Sequence, residues 1–70
     1  MIIHVELLDE GTPTWYPVEA IRIGNNVYEI VGQNPDPEDL HWEFKTGDKV
    51  RCRPKQLHGG ESLVAYELSK

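Results

Sequence analysis

Apolar residues in this chain recur at every second position in short runs, and turn-forming residues cut each run from the next. An extended strand sends alternate side chains to opposite faces, so each run describes a strand with one face inward. In Ile2–Leu8, the residues Ile3, Val5 and Leu7 share a face against His4 and Glu6. In Trp15–Ile23, Val18 and Ala20 alternate with Glu19 and Ile21, and in Val27–Gly32, Tyr28 and Ile30 alternate with Glu29. Val50 and Cys52 alternate with Lys49, Arg51 and Arg53, while in Ser62–Leu68 the pair Leu63 and Ala65 opposes Val64, Tyr66 and Leu68. Nowhere does a 3.6-residue period persist long enough for a substantial helix.

The interruptions carry turn chemistry. Asp9–Thr14 contains Gly11 and Pro13, and Gly24-Asn25-Asn26 supplies residues that tolerate positive φ. Gln33–Asp39 has prolines at 35 and 37, which exclude a helix interior and leave room for one helical turn over Pro37–Leu40. His41–Leu57 reads as the central hairpin: Trp42 and Phe44 on its first arm, a turn at Thr46-Gly47-Asp48, and Lys49 onward as its second arm. Pro17 and Pro54 each demand a sheet edge, a strand start or a bulge, because neither can donate a ladder hydrogen bond. His58–Glu61 forms the last turn. Five to six short antiparallel strands joined in this way make a meander. A small meander buries its apolar face by curling on itself. The expected fold is an all-β, SH3-like barrel over residues 1–70 as a single domain. An OB-like barrel, with longer strands and a helix, fits less well.

Seventy residues suffice for one domain with a marginal core, since a chain of this size buries only ~60% of the surface exposed when unfolded. Cys52 is the sole cysteine, so an internal disulfide is excluded, and a reducing, cytoplasmic setting is expected. The start Met1-Ile2-Ile3-His4-Val5-Glu6 has neither a basic segment nor a long apolar run, and no stretch approaches a membrane helix. A monomer or a weak homo-oligomer is expected. The formal net charge of −5 disfavours generic binding of nucleic acid.

Two surfaces are candidates for recognition. Trp15 and Tyr16 are strand neighbours, so one ring must point outward, beside Pro17 and the acidic pair Asp9 and Glu10. Exposed aromatics next to acids suit a peptide groove. The alternative is an anion-binding strip of Lys49, Arg51 and Arg53, flanked by Lys45 and Lys55. Those cations can equally pair across strands with Glu19, Glu29 or Glu43. His4, His41, His58 and Cys52 match no metal-ligand spacing, and Cys52 belongs with the core-facing residues, so no metal is expected. No nucleophile elbow, phosphate loop or HExxH motif is present, and neither an enzyme nor a cofactor is expected.

The segments LLDEGTPTWYPVEA (7–20), IGNNVYEIVG (23–32), NPDPED (34–39) with WEF (42–44), GDKVRC (47–52) and GGESLVAYE (59–67) resemble a group of small uncharacterised bacterial proteins predicted to be SH3-like. The resemblance spans most of the chain. It implies a stand-alone bacterial cytoplasmic domain and transfers no catalytic or ligand residue. The functional expectation is a non-enzymatic module that binds another protein. The alternatives are a nucleic-acid accessory protein using strand 49–55, or an acidic immunity- or inhibitor-type protein that binds a basic partner.

Overall fold

The computed structural model describes residues 1–57 and 59–69. Five strands carry the fold: β1 (Ile2–Glu6), β2 (Trp15–Gly24), β3 (Val27–Ile30), β4 (Lys49–Leu57) and β5 (Gly60–Leu68). They pair in sequence order and close into a ring. Each sequential pairing is antiparallel. A meander with an odd number of strands brings its first and last members together pointing the same way. The closing contact, His4 opposite Val64, is accordingly parallel. None of the described residues is helical.

The two long strands turn the corners. β2 pairs with β1 through Trp15–Glu19 and with β3 from Ala20 onward. β4 pairs with β3 only through Lys49–Arg51, but with β5 along its length. This explains both strand prolines. Ala20 donates its N–H to Met1 on the β1 side. Donors alternate along a strand, so the missing donor of Pro17 faces the other side, where no strand runs. Cys52 donates to Asn26 on the β3 side. By the same parity, the missing donor of Pro54 faces a side that β3 no longer reaches. Both prolines lie at edges. The register shift in the β4–β5 pair falls between Arg51 and Cys52 instead, leaving Tyr66 as the extra residue on β5.

The ring encloses Ile3, Val5, Val18, Ala20, Tyr28, Ile30, Val50, Cys52 and Ala65, with Leu7, Trp42 and Phe44 at one end. These inward faces are the ones that alternation assigns. Val64 is the exception: it is buried, yet lies outside this cluster, at the seam between His4 and Arg53.

The expected hairpin of 41–57 does not form. At Val50 and Arg51, next to the turn, both edges of β4 are taken, by β3 and β5, so residues 41–44 have no place beside it. They lie antiparallel to the end of β1 instead. Leu7 and Trp42 form an isolated bridge, Leu8 donates to His41 at 2.7 Å, and Glu43 donates to Glu6 at 2.9 Å. Trp42 and Phe44 are buried by closing the end of the ring, not by belonging to a strand. Residues 45–48 do turn as expected: Asp48 donates to the Lys45 carbonyl and returns a carboxylate oxygen to the Lys45 N–H at 2.8 Å. The turn expected at His58 involves a residue outside those described.

Candidate functional site

The segment that closes the ring also shapes a concavity of about 750 Å³. One wall is Leu8 and Asp9, just past β1, and the opposite wall comes from the loop between β3 and β4. Asn34 organises that loop. Its carboxamide donates to the Leu40 carbonyl at 2.6 Å and accepts from the Asp36 N–H at 2.9 Å. Leu40 donates back to the Asp36 carbonyl at 2.7 Å, completing one turn over the stretch whose proline and acids suit a first helical turn. Pro37 and Leu40 thereby line the concavity together with Leu8 and Trp42.

Trp42 is fixed from beneath by Tyr16, whose ring centre lies 5.8 Å away at a 37° tilt. Only 6% of Trp42 is exposed, and its indole Nε1 is buried without a hydrogen-bond partner. Polar groups rim the site. His41 and Asp9 pair at 3.0 Å, Lys45 and Gln33 contribute a cation and a carboxamide, and the Thr46 hydroxyl donates to the Gly32 carbonyl. Gly32 is required by a close approach: a Cβ there would meet the Glu19 backbone nitrogen at 3.0 Å. Outside the rim, Glu43 has its carboxyl pushed above the ordinary range, first by desolvation and then by the neighbouring Glu6 carboxylate.

The four residues expected to form one groove separate. Tyr16 turns toward the core and Trp42. Trp15 takes the outer face, half-buried under the Lys55 ammonium, which sits 5.8 Å from the ring centre. Asp9 belongs to the large concavity, whereas Trp15 lines a second one of about 470 Å³. Glu10 is exposed and lines neither.

Lys49, Arg51 and Arg53 do lie exposed on one face of β4. Arg51 reaches Glu67 at 3.9 Å, and Arg53 lies over the Tyr66 ring at 4.7 Å. Glu29 stands opposite Lys49 in the register, but Glu19 is taken by the N-terminal ammonium, and Glu43 lies beside Glu6. The acid that meets this strip is Glu67, across the β4–β5 ladder.

His4 and His41 stand at the two different concavities, His58 lies outside the described residues, and no metal-ligating group of three occurs among those described. Cys52 is buried, and burial pushes its thiol up to about 11, so it stays protonated and unreactive near neutrality.

The sequence alone does not assemble Leu8, Pro37, Leu40, His41, Trp42 and Lys45 into a site. Its alternation assigns Trp42 to a strand, and the polar loop reads only as an interruption. The signal available is Asn34-Pro35-Asp36, an Asx-turn sequence that folds the loop back over the tryptophan. Compared with known protein families, curated proteins and solved structures, the chain matches none.

Proposed function

We propose that this chain is a non-enzymatic binding module on an SH3-like barrel, taking an extended segment of another protein in the groove over Trp42. The observation that carries the reading is Trp42 itself. It packs against Tyr16 and lines the concavity of about 750 Å³ between Leu8 and the β3–β4 loop. Leu8, Pro37 and Leu40 offer apolar contact on either side, while Asp9 and Lys45 at the rim set the direction of a charged peptide.

Selection of peptides from a displayed random library tests this reading. Peptides enriched on the wild-type protein should lose binding by about tenfold or more to Leu8→Asp, a change at a half-exposed residue outside the core. They should bind Trp15→Ala normally. Loss of binding to Trp15→Ala with Leu8→Asp unaffected would move the site away from Trp42.

A further inference from the structure

The smaller concavity, of about 470 Å³, is built independently of the groove over Trp42. It lies on the outer face where the ring closes, between the start of β2, the end of β4 and the start of β5. Twelve of the 70 residues are acidic, yet none lines it. What lines it instead is Lys55, His4, Gln56 and Ser62 around the flank of Trp15. Lys55 and Ser62 are direct partners in the β4–β5 register, so their side chains rise from the same face. Among the described residues Lys55 makes no ion pair, and its ammonium rests over the Trp15 ring. Arg51, four residues back along the same strand, has its acid in Glu67.

We propose that this concavity is a binding site for a single anionic group, a carboxylate or a phosphate. Lys55 is its charge anchor, and Ser62 is its neutral donor. The pocket is of small-ligand size, and a charge-assisted hydrogen bond is roughly twice as strong as a neutral one, so one free lysine beside a neutral donor selects charge. The surroundings limit the anion to a compact one. Glu6 stands opposite Trp15 in the β1–β2 register and Glu61 opposite Gln56, both outside the lining, and they repel an extended polyanion.

The test is a titration of the isotope-labelled protein, followed by amide and indole resonances, at constant ionic strength. Inorganic phosphate is one probe. An N-acetylated tripeptide with a free C-terminal carboxylate is the other, and its C-terminal amide is the control. At least one anion should give saturable shifts centred on Lys55, Ser62 and the Trp15 indole, and the amide should give none. Which anion binds identifies the source of the charge. Lys55→Gln, a change at an exposed position, should weaken that binding by about tenfold, while Arg22→Gln, at an exposed cation that lines neither concavity, should leave it unchanged. The proposal is overturned by an absence of saturable shifts below about 50 mM of either anion, a Kd scale beyond which binding lacks specificity. Equal affinity in Lys55→Gln, or shifts centred on Lys49, Arg51 and Arg53, would overturn it as well.

Discussion

Cys52 shows how much a single position can report. Its place in the alternation puts it inward beside Val50, and the structure buries it, with its N–H bonded to Asn26 in the β2–β3 turn and Ala65 opposite it on β5. Burial raises its thiol from the ordinary 9.0 to about 11. Below pH 9 both folded and unfolded chains hold the proton, and the contribution is fully present. Between 9 and 11 the unfolded chain ionises while the folded one resists, so stability falls as pH rises through that window. Denaturant unfolding should show the wild type losing about 2–3 kcal/mol more than Cys52→Ala between pH 8.5 and 11, since each tenfold change in proton affinity is worth about 1.4 kcal/mol. Parallel pH profiles for the two proteins would show that the thiol is solvated in the fold. The neighbouring aromatics are less legible. Adjacency requires Trp15 and Tyr16 to point opposite ways, but does not say which goes inward. That choice depends on Trp42, which arrives from 26 residues further along the chain to meet Tyr16.

At the scale of elements, period-2 patterning locates all five strands, because each has one face against a common core. It also predicts a strand over 41–44, where none exists. Trp-Glu-Phe alternates for the same reason a strand does: residues 42 and 44 point into the core while Glu43 points out. Alternation reports burial on one side, not a ladder on both edges. What decides the matter is the occupancy of β4, a fact about pairing partners remote in sequence. The turn that follows does depend on a local residue. Gly47 has φ of 93°, and a Cβ added there would meet nothing within 4 Å. Gly47→Ala should therefore cost about 1–2 kcal/mol from backbone conformation alone. Gly47→Asn, whose side chain tolerates this region, should cost less. Equal loss in both variants, measured by denaturant unfolding, would mean that the turn is held by contacts made by residue 47 and not by its φ.

For the molecule as a whole, charge is arranged by element. Asp9, Glu10, Asp36, Glu38, Asp39, Glu43 and Asp48 gather in the loops, whereas Lys49, Arg51, Arg53 and Lys55 run along β4. Such polarity by itself suits a strand that lies against a nucleic-acid backbone. The structure supplies each cation but Lys49 with a local use: Arg51 near Glu67, Arg53 over Tyr66 and Lys55 over Trp15. Engagement with phosphates must replace those contacts and also bring a polyanion up to a body of net charge −5. At physiological salt the attraction of an exposed strip is screened within ~8 Å, while each surface pair it would give up is worth under ~1 kcal/mol. Neither effect favours tight binding. A fluorescein-labelled oligothymidine should therefore show no saturable anisotropy change at about 0.15 M salt, an ionic strength at which non-specific contacts are already weak. Low salt separates the remaining possibilities. If binding appears there, plotting log affinity against log salt for the wild type and for Arg53→Gln tells whether β4 is the contact surface. A slope flatter by ~1 in the variant identifies one lost phosphate contact, and an unchanged slope places the contacts elsewhere. Saturable binding at about 0.15 M salt that Arg53→Gln abolishes would show that β4, despite its aromatic and acidic neighbours, is a nucleic-acid surface.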